Sequence, residues 1–215
     1  MEDARFNMIE QQIRTWDVLD QQVLDLIAEV RRIDFVPEKY RGLAYADHAI
    51  PIGQGQKMMH PVVEGRLLQA LSLHPMDAVL EVGTGTGYLT ALLAKAARQV
   101  YSVDIFPDFR DAAEERLALY GIHNVTLEVG DAAQGWDRHG LYDAIVIGGS
   151  LPELPDSFLG SMNRGGRLFV VLGQPPVMEA VLVRRLGDEQ WSREILFETE
   201  LPPLINAQAR PRFIF

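Results

Sequence analysis

The segment Val79–Tyr88 most strongly limits the fold of this chain, because it joins an apolar strand to a helix through three alternating glycines. Gly83, Gly85 and Gly87 permit positive φ angles and leave the backbone bare, so a ligand can lie directly against the main chain. The helix that follows offers unpaired N–H groups and a positive dipole end to that ligand. Asp104 ends the next apolar run, about 20 residues after the turn begins, the spacing of a carboxylate that holds a ribose. These features predict a nucleoside-binding crevice at the carboxyl edge of a parallel sheet.

The details of the turn favour a positively charged ligand over a dinucleotide. In the dinucleotide motif G-x-G-x-x-G/A the third small residue lets the helix pack on the strand, but Tyr88 occupies that position here. Glu81 lies just before the turn, where a buried carboxylate would repel a pyrophosphate and attract a sulfonium or an ammonium. The pattern from Glu81 to Gly87 resembles the first motif of the S-adenosylmethionine (SAM) methyltransferases with a Rossmann-like fold. A glycine-rich turn without a ligand is the alternative.

Composition argues against several classes of function. The chain has 215 residues and a net charge of −10, which argues against a nucleic-acid partner because phosphate binding needs a basic surface. No apolar run approaches the roughly 18 residues of a membrane span, and the amino terminus lacks a secretory pattern. There are no cysteines, and the five histidines lack metal-binding spacing. We therefore expect a cytoplasmic protein without a metal site or a membrane partner.

The order of predicted elements indicates one α/β domain over residues 1–215, with a helical, acceptor-side region at 1–75 and a core at 76–215. The core alternates strand and helix and then ends in two consecutive strands. We expect a Rossmann-like, doubly wound, mostly parallel sheet with an antiparallel carboxy-terminal edge hairpin and an N-terminal helical extension. The predicted helices are 5–13, 17–31 with Asp17 as N-cap, 61–71, 88–97, 107–120 and a short one framed by Pro152 and Pro155; the predicted strands are 78–82, 100–103, 125–129, 142–147, 167–172, 181–185 and 195–201; residues 41–56 are expected to be irregular.

Most of the chain, roughly residues 20 to 205, resembles one family of methyltransferases. The matching segments are Phe35–Pro37, Ala44–Asp47, Ile50–Gln56, Pro61, Glu81–Tyr88, Asn124–Thr126, Gly130–Asp131, Gly135–Trp136, Tyr142–Ile145, Gly165–Leu168 and Leu182–Arg185. These segments occur in the order typical of one family, and the chain is similar to the protein-L-isoaspartate O-methyltransferases. The resemblance implies methyl transfer from SAM to the free α-carboxylate of L-isoaspartyl residues in damaged proteins, with S-adenosyl-L-homocysteine as the other product.

The resemblance also implies which residues bind the methyl donor. Asp104, where the family usually has Glu, would accept hydrogen bonds from the ribose hydroxyls, and one carboxylate suits two such donors. Asp131 would take the adenine amino group, and its position and motif favour this role over that of a turn residue after a strand. The complete donor-binding set is Glu81, Gly83, Thr84, Gly85 and Gly87 beside the methionine part, with Asp104, Ile105, Asp131 and Ala132 around the nucleoside.

One segment departs from the family pattern Thr-Ile-Ser-x-Pro, because it reads Lys57-Met58-Met59-His60-Pro61. A thioether cannot donate the hydrogen bond of the replaced serine. Transfer to a carboxylate needs no general base, so Lys57 could attract the carboxylate in place of the hydroxyls. Alternatively, Met58 and Met59 line a more apolar pocket for a different, small-molecule acceptor, with His60 as its base.

Lys57, Met59 and His60 are therefore the candidate catalytic residues, each with a simpler structural interpretation. The methionines could pack in the core, and His60 could be a satisfied residue beside a helix start. A relative that binds SAM without catalysis stays open, as does a dinucleotide oxidoreductase, against which Glu81 and Tyr88 argue. The oligomeric state is open too, and the apolar tail Ala209–Phe215 could dock on its own domain or on a partner subunit.

Overall fold

A seven-stranded sheet lies at the centre of the computed structural model, which describes residues 2–207. Its strands are β3 (Ala78–Val82), β4 (Gln99–Asp104), β5 (Val125–Val129), β6 (Tyr142–Leu151), β7 (Met162–Gln174), β8 (Val177–Gly187) and β9 (Gln190–Glu198). Two earlier strands, β1 (Ile50–Gly53) and β2 (Gln56–Met58), lie outside this sheet. The α-helices are α1 (Glu2–Asn7), α2 (Gln21–Glu29), α3 (Pro61–Leu71), α4 (Tyr88–Ala96), α5 (Pro107–Leu119) and α6 (Asp156–Gly160). The tail Ala209–Phe215 lies outside the described residues.

The sheet has the order β5-β4-β3-β6-β7-β8-β9. Strands β3 to β7 pair in parallel, whereas β8 pairs antiparallel with both β7 and β9. The predicted fold class, with its antiparallel carboxy-terminal edge, is therefore confirmed. The chain runs from β3 outward to β5 and returns to β6 on the other side of β3, which leaves a crevice where the two directions part.

Both faces of the central strands are covered, which explains why their sequences are continuously apolar. Every residue of β3 is buried. Its neighbours Val79 and Leu80 belong to separate cores, one shared with α3 and α4 and the other shared with α6. Side chains alternate across a strand, so each core receives every second residue of β3 and β6.

The amino-terminal region is helical, but two of its predicted boundaries are wrong. The first helix is α-helical only to Asn7 and continues as a π-helix over Met8–Ile13. The second begins at Gln21 rather than near Asp17, because the Asp20 carboxylate accepts from the Gln22 N–H at 2.9 Å and caps it. Asp17 instead has φ 60° after a short 3₁₀ turn.

The segment predicted to be irregular, residues 41–56, is more ordered than its composition suggests. It contains the end of a 3₁₀ helix, Glu38–Leu43, and all of β1. Strand β1 pairs antiparallel with β2 as a separate two-stranded sheet. Gln54 and Gly55 both have positive φ at the tip, as tight hairpin turns require. This hairpin, which the periodicity did not reveal, carries Lys57 into the site.

Candidate functional site

A cleft of about 590 Å³, here called the glycine cleft, lies at the carboxyl ends of β3 and β6. Gly83 follows β3 and Gly148 lies on β6, and a Cβ on Gly148 would be 2.9 Å from the Val82 carbonyl oxygen. Only glycine permits such an approach, so backbone rather than side chains forms this wall. The lining residues are Ile52, Gln56, Lys57, Val82, Gly83, Gly85, Val103, Asp104, Ile105, Phe106, Phe109, Gly130, Asp131, Ala132, Ala133, Gly148, Gly149, Leu204 and Ile205.

The glycine turn connects β3 to α4 through three positive φ angles. Gly83, Gly85 and Gly87 have φ of 97°, 53° and 83°. The Gly83 N–H donates to the Val103 carbonyl at 2.8 Å, which ties the start of the turn to β4. Gly87 occupies the N-cap position, where a Cβ would lie 3.0 Å from the Ala113 Cβ of α5. The first and second glycines therefore face the cleft, whereas the third permits close helix packing.

Asp104 ends β4 and lines the glycine cleft, as its spacing predicted. Its Oδ2 accepts from the Gly85 N–H and its Oδ1 from the Phe106 N–H, both at 2.9 Å. Burial raises the pKa of this carboxyl, and the backbone hydrogen bonds offset part of that rise. A carboxylate accepts several hydrogen bonds, so Asp104 has the chemistry to accept hydroxyl donors from a ligand.

The far wall of the glycine cleft holds Asp131 and Ala132, together with a carboxy-terminal segment that sequence reasoning missed. The Asp131 Oδ1 accepts from the Ala133 N–H at 3.0 Å, and its Oδ2 accepts from the Asn206 side-chain amide at 2.8 Å. Leu204 and Ile205 line the same wall. No signal in the sequence links these residues to the site, because they lie far along the chain from the glycine turn.

Glu81 is fully buried behind the glycine turn and lines neither cleft of the site. The hydroxyls of Ser102 and Thr90 donate to its Oε2, each at 2.6 Å, while its Oε1 has no hydrogen-bond partner. The Thr84 hydroxyl is 2.6 Å from that of Ser102 and extends this chain to the turn. Burial raises the pKa of Glu81 to about 8, although the hydrogen bonds from the two hydroxyls act to lower this pKa. Glu81 thus supports the turn from beneath.

A second cleft of about 350 Å³, here called the methionine cleft, adjoins the first. The residues shared by both clefts are Ile52, Lys57, Gly83, Gly85 and Gly148. The methionine cleft is further lined by Met58, Met59, Glu64, Thr84, Thr86, Tyr88 and Leu89. Met58 and Met59 are each 6% exposed and also belong to a hydrophobic core, so they both pack and line the cleft.

A buried ion pair beneath the methionine cleft was not foreseen from the sequence. Arg32 is 1% exposed and Glu64 4% exposed, and an Arg32 Nη1–H donates to the Glu64 Oε2. An Nη2–H of Arg32 donates to the Met59 carbonyl, and the guanidinium carbon lies 5.1 Å from the centre of the Tyr88 ring. Burial raises the pKa of Glu64 to about 7, although Arg32 acts in the opposite direction. The sequence held one signal for this ion pair, namely the charged residue Glu64 among the apolar residues of α3.

His60 lies away from both clefts. Its Nδ1 is 3.1 Å from an Asp47 carboxylate oxygen, and its ring is edge-on to that of His48 at 6.3 Å. The structure therefore does not bring His60 together with Lys57 and Met59 around one cavity, and a base at this position has no acceptor within the clefts. Within residues 2–207 no group of three or more His, Asp or Glu side chains could hold a metal ion, and no helix there has the length and apolar character needed to cross a membrane.

Together, the doubly wound sheet and the glycine cleft at its switch point define a Rossmann-like methyltransferase fold. The family model described as Protein-L-isoaspartate(D-aspartate) O-methyltransferase matches residues 3–209, and the chain belongs to this family.

Individual relatives agree with this family. A protein-L-isoaspartate O-methyltransferase of Methanoculleus marisnigri is 39% identical over 184 residues, which cover 85% of this chain and 84% of the relative. A solved structure named protein-L-isoaspartate O-methyltransferase has a TM-score of 0.80 at 21% identity, covering 93% of this chain and 65% of that longer one. A Plasmodium falciparum structure described as the same enzyme, in complex with S-adenosyl-L-homocysteine, has a TM-score of 0.77 at 21% identity over 92% of this chain and 96% of its own. At these identities the two structures show the fold alone.

Proposed function

We propose that this chain transfers a methyl group from SAM to the α-carboxylate of L-isoaspartyl residues in proteins. Family membership supports the reaction class. The observation that carries the proposal is that the two clefts share lining residues, Lys57 among them. A donor in the first cleft and an acceptor in the second would meet at these shared residues.

The glycine cleft suits the methyl donor. Asp104 offers a carboxylate acceptor to a ribose diol, and Ala132 offers backbone to an adenine edge. Asp131 can accept from the adenine amino group, although it already accepts from Asn206. The bare wall at Gly83 and Gly85 leaves room for the methionine part, and bound SAM supplies a methyl group on a positively charged sulfur.

The methionine cleft suits a carboxylate acceptor through a cation in place of hydroxyls. The Lys57 side chain has no hydrogen-bond or ion-pair partner within the described part of the chain, so its ammonium is available to the acceptor. A carboxylate is already ionised near neutral pH, and its attack on a methyl group needs no base. Met58 and Met59 supply no hydrogen bonds and instead exclude water around the acceptor.

We also propose that residues 1–75 and 76–215 act as one domain, the first region providing the acceptor side. The hairpin β1–β2 supports this division, because it belongs to the first region and lines both clefts. A cytoplasmic place of action fits a cysteine-free chain, and the net charge of −10 favours protein acceptors over nucleic acid.

The test is transfer of labelled methyl from SAM to an isoaspartyl peptide, with the corresponding aspartyl peptide as control. Base-labile label on the isoaspartyl peptide alone is the expected result. Lys57→Ala should lower kcat/KM by about ten- to a hundredfold, the cost of one lost charge-assisted contact. Lys39→Ala, at an exposed lysine that lines neither cleft, is the matched control.

A different outcome would point to another acceptor. If the protein binds SAM and labels neither peptide, the isoaspartyl assignment fails. The apolar lining by Met58, Met59 and Leu89 would then favour a small, apolar acceptor, and a screen of such compounds with the same label would follow. If the protein does not bind SAM, the donor assignment fails as well.

A further inference from the structure

Three segments that enclose the methionine cleft meet at one buried guanidinium, that of Arg32. Arg32 begins a 3₁₀ turn after α2, is 1% exposed and lines neither cleft. Its Nη1–H donates to Glu64 of α3, its Nη2–H donates to the Met59 carbonyl, and its guanidinium carbon lies 5.1 Å from the centre of the Tyr88 ring. Met59, Glu64 and Tyr88 all line the methionine cleft. One side chain therefore contacts three of the residues that form this wall.

The hydrogen bond to Met59 holds the segment that carries Lys57. Strand β2 ends at Met58 and α3 begins at Pro61, so Met59 lies in the short connection between them. A hydrogen bond from a charged donor is stronger than one between neutral groups, and this one lies in a buried setting. Because Lys57 lies two positions before Met59, the held carbonyl also limits where Lys57 enters the cleft.

The contact with Tyr88 connects the same guanidinium to the donor side. Tyr88 is the first residue of α4 and directly follows Gly87, the last glycine of the turn. Its ring also packs on Phe35, which caps the 3₁₀ turn of Arg32, with the ring centres 5.6 Å apart. Arg32 thus joins the segment that carries Lys57 to the helix that follows the glycine turn.

We propose that Arg32 is a positioning residue for methyl transfer, holding the Lys57 segment at a fixed distance from the glycine turn. This inference rests on the proposed function and adds to it a residue that contacts neither substrate. In-line attack on a methyl group requires reacting atoms about 3–3.5 Å apart, and a misplacement of about 1 Å can slow the step roughly a hundredfold. Loss of the bridge should therefore lower kcat, whereas SAM in the glycine cleft should bind as before.

Arg32→Lys is the sharpest test, because it keeps a positive charge beside Glu64 but removes the planar fork that reaches two acceptors and stacks on a ring. With the isoaspartyl peptide we expect kcat to fall about tenfold or more, while the Kd of SAM, measured by calorimetry, stays within about twofold of the wild-type value. Each protein is assayed well below its thermal transition, so that the folded form is compared.

Arg167→Lys is the matched control. Arg167 is half-buried, donates to three backbone carbonyls and to the Asp77 carboxylate, and lines neither cleft. Its replacement therefore removes a comparable fork that lies away from the site. We expect this variant to keep the wild-type kcat, even if its thermal transition moves to a lower temperature.

Glu64→Gln tests the bridge from its other end. The amide oxygen can still accept from Arg32, but the pairing of opposite charges is lost, so kcat should fall about threefold, less than in Arg32→Lys. The double variant should lose no more than Arg32→Lys alone, because both substitutions act on one bridge. Losses in kcat that add independently would assign the two residues separate roles and overturn the inference.

An unchanged kcat in Arg32→Lys, or in Glu64→Gln where Arg32→Lys does not fold, would overturn the inference while leaving the proposed function intact. Equal falls in kcat for Arg32→Lys and Arg167→Lys would overturn it too, because a general loss of structure would then explain both. A weakening of SAM binding as large as the fall in kcat would place the effect on the donor side and reject the positioning role. No label on the isoaspartyl peptide with wild-type protein would reject the proposed function itself, and this inference with it.

Discussion

The buried carboxylate of Glu81 makes the stability of this protein depend on pH in an unusual direction. Burial raises its pKa from 4.5 to about 8, so the folded state holds a proton that the unfolded state has already released. Wherever the folded state binds more protons, the free energy of unfolding falls as pH rises. The loss begins near pH 4.5 and is complete above about pH 8.

Glu81→Gln removes this titration while keeping the shape of the side chain. Each pH unit between the two pKa values costs the wild type about 1.4 kcal/mol. The difference in unfolding free energy, variant minus wild type, should therefore rise by about 3 kcal/mol between pH 5.5 and pH 8.5. The new amide also buries an N–H group at the position of the unpartnered Oε1, a cost that does not change with pH.

Urea denaturation of both proteins at several pH values measures this difference without ligand. The slope against pH carries the test, because the absolute difference includes the fixed cost of the amide. Glu115→Gln, at an exposed carboxylate of α5, controls for the loss of a negative charge from an acidic protein. A variant-minus-wild-type difference that is the same at pH 5.5 and pH 8.5 would refute the argument that burial governs Glu81.

Three further predictions concern the site and its supports. Asp104→Ala should weaken SAM binding by about 2 kcal/mol, or roughly thirtyfold in Kd, by calorimetry, whereas an unchanged Kd would separate this carboxylate from the ribose. Gly87→Ala should lower the unfolding free energy by about 2 kcal/mol through its φ of 83° and the Ala113 contact. Gly121→Ala, at φ 64° with no atom within 4 Å of the added Cβ, should lower the unfolding free energy less. Equal losses of unfolding free energy in the two variants would show that the contact with Ala113 does not contribute. Arg32→Met should cost about 3 kcal/mol at pH 8 and less at pH 5, where its partner takes up a proton; a loss independent of pH would contradict the ion pair.

Features that depend on residues close together in the sequence could be predicted from the sequence. The glycine turn, the positions of α3, β3 and β5, and Asp104 at the end of β4 follow from apolar periodicity, from proline at a helix start, and from backbone sterics. The class of sheet, mostly parallel with an antiparallel carboxy-terminal edge, also follows, because alternating strands and helices have few ways to bury both faces of a parallel sheet.

The local rules failed where competing signals lay close together. Asp17 and Asp20 are both plausible helix caps by residue type, and only the structure shows that Asp20 accepts the capping hydrogen bond. The hairpin β1–β2 is too short for a periodicity of two to be visible. It depends instead on the turn conformation of Gln54 and Gly55.

Only the tertiary structure decided which side chains share a cavity. The ion pair joins Arg32 to Glu64 across 32 positions, and Asn206 meets Asp131 across 75. His60 follows Met59 in sequence, yet the chain directs it toward Asp47 and away from the methionine cleft. Sequence spacing constrains contacts within a turn, a strand or a helix, whereas contacts between distant segments are selected by the packing of the whole chain. The glycine turn and Asp104 could therefore be placed from the sequence, whereas the carboxy-terminal wall of the glycine cleft could not. The methionine cleft, assembled from a hairpin, a helix and the glycine turn above a buried arginine, could not be placed either.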